Sequence, residues 1–279
     1  MEQNFEITGQ LRVDCRLTAG QVRILPAEPG HARVELTPHG EAGDELLRRA
    51  EVRLEESGRG RRRLVVHLPG RNLLSGVWSL TGRGSVAVTI HCPPDSELQA
   101  RTGAAGVQAQ LDLANVDVVT GSGDVTLGDV TGSVAVRVAS GRVRLGRVGG
   151  ALDVDTGAGA LDVVSVEGGV KIRTASGAID LGRVGGHVKI TAAAGDVRIA
   201  CADHGQLAVT ATTGNVDIGV PPGRGLHLDL SSTIGKVRSE LDAAPEGVPG
   251  APDLVLRVRS TTGDVTLRRM TAPAPSTGA

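Results

Sequence analysis

The chain has 279 residues, with 30 Lys and Arg against 31 Asp and Glu and a formal charge of −1, so no global field calls for a polyanionic partner. It holds 40 glycines, no Tyr, one Phe (Phe5) and one Trp (Trp78), so its core must come from Val, Leu, Ile and Ala and its glycines must serve recurrent turns. Cys15, Cys92 and Cys201 are widely spaced; they fit neither a disulfide framework nor paired zinc ligands and read as inert thiols in a reducing compartment.

The first residues, MEQNFEITGQLRVDCRLTAG, show no basic run leading into an apolar one, and no stretch approaches the roughly 18 continuous apolar residues of a membrane span. The expectation is a cytoplasmic chain without a transmembrane segment, compatible with peripheral association with the envelope. Residues 1–100 predict strands at LRVDCRL, GQVRIL, ARVEL, RRLVVHL and SVAVTIHC, with one short helix inside EAGDELLRRAEVRLEESGRGRRR. This region reads as irregular strand-rich coils that cap the start of a stack, with Phe5 and Trp78 available to plug a core.

From 101 to 241 the chain is regular. Gly123, Gly141, Gly159, Gly177 and Gly195 recur every 18 residues and open GDVTL, GRVRL, GALDV, GAIDL and GDVRI. A second series, Gly132, Gly150, Gly168 and Gly186, lies 9 residues behind and leads into SVAV, ALDV, GVKI and HVKI. Fainter copies precede the array, among them GSVAV at Gly84, and looser ones follow it at Gly214, Gly235 and Gly263. Each unit therefore carries two short strands. Period-2 alternation buries Val125, Leu127, Val134 and Val136 and turns Asp124, Thr126, Ala135 and Arg137 outward, with Val130, Val148, Val166 and Val184 matched in the turn between.

One unit buries about five apolar side chains, each contributing about 1.5–3 kcal/mol, against an ordering cost of about 1–2 kcal/mol per residue. It cannot stand alone, and stacking of units supplies the missing burial. The fold predicted is all-β: a single-stranded parallel β-helix, or β-solenoid, with 18-residue coils and glycines at positive φ in the corners. In the outward columns most neighbours carry opposite sign, reading Arg144, Asp162, Asp180, Arg198, Asp217, Arg238; then Arg137, Asp155, Arg173; then Asp153 beside Lys171, which relieves repulsion along an in-register ladder. DAAPEGVPGAPD over 242–253 reads as a loop, 254–270 as a terminal coil whose Arg268 and Arg269 guard the finish, and 271–279 as a disordered tail.

The strand-rich start, PPDSELQARTGAAG at Pro93 to Gly106, the serial TGSGDVTLGDVTGSVAV units and a closing STTGDVTLRRM together resemble the bacterial β-strand-repeat family called putative adhesin, domain-of-unknown-function family 4097. The resemblance spans nearly the whole chain and implies a single-stranded parallel β-helix; some relatives are associated with the cell envelope and its stress responses.

Candidate chemistry is sparse. The residue after the leading glycine runs Asp124, Arg142, Ala160, Ala178, Asp196, Asn215, which builds no calcium ladder. CADH, Cys201 to His204, brings a thiol, a carboxylate and an imidazole together where the period slips from 18 to 19; a one-residue bulge accounts for it without a nucleophile or metal. His91-Cys92 reads as the end of a strand. The basic loop GRGRRR, Gly58 to Arg63, and Arg142, Arg144 and Arg147 lack the aromatics that nucleic-acid stacking needs. Catalytic, cofactor and metal residues are expected to be absent. The preferred reading is a non-enzymatic scaffold or binding module presenting a flat face to a protein or cell-envelope partner, as a monomer or small oligomer without nucleic acid, with Arg137, Lys171, Arg173 and Lys189 as contacts. The alternatives are a structural protein that self-assembles end to end and a polysaccharide-processing enzyme, for which the tight coils leave no room for a carboxylate-bearing cleft.

Overall fold

The computed structural model describes residues 1–7, 9–57, 61–68, 85–223, 225–240 and 253–270. Trp78, Gly84, Gly58 to Gly60 of the basic loop, the loop over 242–253 apart from Asp253, and the tail over 271–279 lie outside the described residues. The chain forms two compact units, Met1–Gly149 and Gly150–Ala279, so the first takes in both the irregular region and the first regular repeats.

Unit 1 contains β1 (Glu2–Glu6), β2 (Leu11–Pro26), β3 (His31–His39), a helix α1 (Glu41–Arg48), β4 (Glu51–Ser57) and β5 (Arg61–Leu68). It continues with β6 (Ser85–Cys92), β7 (Ser96–Ala109), β8 (Leu113–Ser122), β9 (Val125–Leu127), β10 (Val134–Ser140) and β11 (Val143–Val148). The regular repeats pair parallel at the predicted offset, Val134 beside Val116 and Val143 beside Val125, and Val130 bridges Val148 in the turn column. The buried face is the predicted one: Val125, Leu127, Val134, Val136, Val143 and Leu145 are all buried.

The irregular region departs from a simple parallel run. β2 bends at Gly20 and pairs parallel with β7 along one edge and with β5 and β6 along the other, so a coil later in sequence lies outside the first one. Over that outer coil the chain lays antiparallel strands, β3 on β6, β1 on β3 and β4 on β5. The sheet is therefore mixed, where sequence predicted a wholly parallel one. A parallel coil leaves a row of unpaired N–H and C=O groups at its outer edge, and returning strands satisfy them. Phe5 does not plug a core: it sits half-buried on β1, opposite Ala32, and among the described residues β1 has a neighbouring strand on one side only. The short helix expected in this region is α1, packed against β3 and β6.

Unit 2 contains β12 (Leu152–Ala158), β13 (Leu161–Val166), β14 (Val170–Ser176), β15 (Ile179–Ala194) and β16 (Val197–Thr213). After these come β17 (Val216–Val220), β18 (Leu226–Ile234), β19 (Val237–Ser239), β20 (Leu254–Thr262) and β21 (Val265–Arg269). Its strand pairs are parallel, beginning β12 to β14 and β13 to β15, each one repeat on. At the C-terminal side the spatial order is not the chain order. β20 pairs with β16 on one edge and β18 on the other, and β21 lies in the same way between β17 and β19. The 254–270 coil is thus an inner one, so Arg268 and Arg269 do not guard the outer edge; among the described residues β18 and β19 form the outermost coil.

The recurring corner glycine has two causes. Gly195 holds φ at +125°, and a Cβ there would come within 2.2 Å of the Gly177 carbonyl oxygen one coil below. Gly263 repeats this over Gly214, and Gly235 over Gly263, which traces the exchanged coil order independently of strand pairing. The second glycine series differs from expectation: of Gly132, Gly150, Gly168 and Gly186 only Gly186 is at positive φ. Close approach is the constraint at Gly132, where a Cβ would lie 2.4 Å from the Ala114 carbonyl.

Candidate binding faces

The acidic corner residues are occupied by the main chain. Asp196 Oδ1 accepts from the Asn215 N–H at 2.7 Å, Asn215 Oδ1 from Asp264 N–H at 3.0 Å, and Asp264 Oδ1 from Lys236 N–H at 2.9 Å. Asp124 does the same for Arg142 and Asp129 for Arg147, at 2.9 and 2.8 Å. Each side chain satisfies an amide on the adjoining coil at a corner where the ladder is interrupted, which explains the GDV pattern as backbone satisfaction. Among the described residues no three His, Cys, Asp or Glu side chains group as metal ligands.

CADH is a bulge. Val184 pairs with Ala202 and Gly186 with Gly205, so Gly185 alone faces both Asp203 and His204. Cys201 is buried and His204 is exposed, with Nδ1 3.6 Å from Asp203 Oδ2. Arg183 approaches the same carboxylate at 3.9 Å. The slip turns the thiol and the imidazole to opposite sides of the chain wall.

Asp14 is a fully buried carboxylate that sequence reasoning did not single out. Arg16 Nε donates to it at 3.2 Å, and Arg63 Nη2 makes a close second bond. Burial pushes its carboxyl up, but the hydrogen bonds and charges of Arg63 and Arg16 together outweigh that and hold it below its ordinary value. The register of β5 on β2, Arg63 beside Arg12, delivers this pair, so part of the basic loop has a structural employment. Elsewhere in unit 1, Phe5, Pro26, Ala27, Ala32, Arg33 and His91 help line an open groove of about 580 Å³.

Unit 2 has a basic face. Along one column the ladder reads Asp153, Lys171, Lys189, Ala208, Arg257, Asp229, and along the next Asp155, Arg173, Thr191, Thr210, Arg259, Ser231. Lys171 pairs with Asp153 at 3.6 Å, Arg173 with Asp155 at 3.3 Å and Arg257 with Asp229 at 3.2 Å. Lys189 lies between Lys171 and Ala208, and Arg259 between Thr210 and Ser231, so neither has a carboxylate as ladder neighbour. The structure therefore brings Lys171, Arg173 and Lys189 together and adds Arg257 and Arg259, which chain order had assigned to a separate last coil. Arg137 belongs to unit 1, exposed on β10 beside Val119.

The other outward column is partly as predicted. Asp180 pairs with Arg198 and Arg198 with Asp217, while Asp162 and Asp180 are like-charged neighbours. The predicted Asp217–Arg238 step is absent because Thr266 comes between. Arg268 takes Asp217 instead, in a two-pronged bond at 2.7 and 2.5 Å, and Arg238 turns to Asp264 at 3.2 Å.

Among the described residues no helix is long and apolar enough to cross a membrane. No curated protein matches the chain. Of solved structures, it is similar to a putative lipid binding protein from Parabacteroides distasonis ATCC 8503, at 10% identity over 96% of this chain and 97% of that one, with a TM-score of 0.39. A putative adhesin from Bacteroides fragilis NCTC 9343 is similar at 10% identity over 97% and 96%, with a TM-score of 0.38. A putative cell adhesion protein from Clostridium sporogenes ATCC 15579 is similar at 11% identity over 97% and 99%, with a TM-score of 0.25. The family model described as Toastrack DUF4097 matches residues 49–268, from the end of α1 into β21. With 18-residue repeats in each unit and that match covering most of the chain, the chain belongs to the Toastrack family DUF4097.

Proposed function

We infer that the chain is a non-enzymatic binding module, a parallel β-solenoid built on 18-residue coils, that presents the basic face of unit 2 to an acidic protein or cell-envelope component. The observation that carries this reading is the pair of cations without ladder carboxylates, Lys189 and Arg259, set among Lys171, Arg173 and Arg257 on one flat face. Neighbouring strands lie about 4.8 Å apart, so these side chains form a regular array. Interspersed carboxylates elsewhere on the face already neutralise their partners, and what remains for a ligand is concentrated at Lys189 and Arg259. The 18-residue offsets of the regular pairs support the architectural part of the reading.

The test is capture from the native host with the full chain as bait, beside Lys189→Glu with Arg259→Glu. The reading expects a saturable partner, released by salt as the Debye length shrinks to a few ångströms, and lost from the double variant. Capture unchanged by both salt and charge reversal would overturn it. Fractionation of the same cells tests the cytoplasmic expectation directly.

A further inference from the structure

β18 and β19, the outermost coil of unit 2, carry core side chains that nothing covers among the described residues. Leu228 stands in register with Leu256 and Val237 with Val265. The inner residues are 0% exposed, but Leu228 is 38% and Val237 44% exposed. The backbone is open as well. Leu254 N–H donates to Gly225 C=O, and in a parallel pair alternate residues direct their polar groups to opposite sides. The groups of His227, Asp229 and Ser231 therefore serve β20, while those of Leu226, Leu228 and Leu230 point away from it.

Unit 1 meets the same demand by laying antiparallel strands over its outer parallel coil, β3 on β6 and β4 on β5. Among the described residues β18 has no such strand. We propose that a second copy of the chain supplies it, with β18 pairing antiparallel to its own counterpart about a two-fold axis through Leu230. Over the central stretch of the strand Leu228 faces Ser232 and Leu230 faces itself, so residues with outward polar groups meet others of the same kind; Ile234 turns its C=O back to Gly263 N–H on the adjoining coil and ends the ladder. His227 then faces Thr233 and Asp229 faces Ser231, with no like charges opposed. An axis one residue earlier would set Asp229 against Asp229, which is destabilising. A two-fold contact uses the same patch on both molecules and closes on itself, so the product is a dimer and not a filament. The dimer carries two basic faces, which raises avidity for a repeated acidic partner; the pairing itself does not depend on that reading.

The experiment uses the full chain with Leu230→Cys. Paired residues facing each other across an antiparallel ladder have Cα atoms about 5.5 Å apart, within disulfide reach, and the native Cys15, Cys92 and Cys201 are buried. Mild oxidation is expected to give a covalent dimer and no larger species. In parallel, sedimentation of the unaltered chain should show a dimer that dissociates on dilution. Leu228→Lys with Ile234→Lys should weaken it ~tenfold or more at an unchanged melting temperature. A chain that stays monomeric at every concentration, a Leu230→Cys thiol that reacts with maleimide but never cross-links, or a ladder of higher oligomers would each overturn the proposal. So would protection of the Leu228 and Leu230 amides from exchange that does not change with concentration, which would make residues 241–252 of the same chain the cover.

Discussion

The imidazole of His204 lies over the backbone of Gly185, so close that a Cβ at 185 would come within 2.5 Å of its Cε1. The three nearest atoms to that Cβ all belong to the ring, and Gly185 is not at positive φ, so the obstacle is one movable side chain. Gly185→Ala should cost about 1 kcal/mol and His204→Ala less than about 0.5 kcal/mol. The double variant should recover most of the Gly185→Ala loss. Gly195→Ala, strained at φ +125° and blocked by a carbonyl, should cost about 3 kcal/mol with no such rescue. Urea melts arranged as a double-mutant cycle measure this; zero coupling between 185 and 204 would mean that the ring is elsewhere in solution.

The buried columns predict a second contrast. Val143 and Ile179 are 1% and 2% exposed, and aspartate at either places a charge inside the coil wall. Each change should cost about 4 kcal/mol or more, enough to unfold a marginal domain. Arg144→Gln, on the outer side of β11, or Asp162→Asn, on the outer side of β13, should stay within about 1 kcal/mol. Thermal melts showing the reverse order would mean that the two faces are exchanged.

Acid should act through Asp14. Its folded carboxyl titrates below the unfolded one, so its contribution is fully present above the unfolded value of about 3.9 and is lost as pH falls through the lower folded value. Asp14→Asn should lower stability near neutral pH by about 1–3 kcal/mol, since it leaves the charge of Arg63 without its partner. The same change should flatten the acid limb of the stability curve. Chemical denaturation at a series of pH values compares the two; an acid limb of unchanged depth in the variant would place the responsible carboxylate elsewhere.

The thiols should be silent in the native protein. Burial, helped by the Asp14 charge, pushes Cys15 up to about 12, and burial pushes Cys92 up to about 11 against the opposing hydrogen bond from Ser96. With almost no thiolate near neutral pH, alkylation should wait for unfolding. Mass spectrometry after iodoacetamide treatment, with and without denaturant, reads the outcome. Rapid native labelling at Cys15 or Cys92 would show that the first coils open locally.

The sequence by itself determined the strands, their faces and the repeat. Val and Leu at every second position can bury only one side of a strand, and an 18-residue glycine period admits few arrangements other than coil on coil. It also located the bulge at Cys201 to His204, because one extra residue in a fixed period has to be accommodated somewhere. Asp14 stayed hidden because its partner Arg63 is 49 residues away and meets it only through the placement of β5 outside β2. The order of the last coils was decided by tertiary structure, since 226–239 and 254–269 share the local pattern needed to pair with β16 and β17. The core distinguishes them: the second brings Val265 and Leu267 to positions where the first brings Val237 and Ser239. A serine at a core position costs least in the outer coil, which among the described residues has a neighbouring coil on one side only. That exchange moved Arg257 and Arg259 inward, onto the same face as the lysines with only the strand of Ala208 and Thr210 between, and left Leu228 and Val237 on the exposed edge, placements that no local pattern contains because they arise from competition between two similar coils for one inner site.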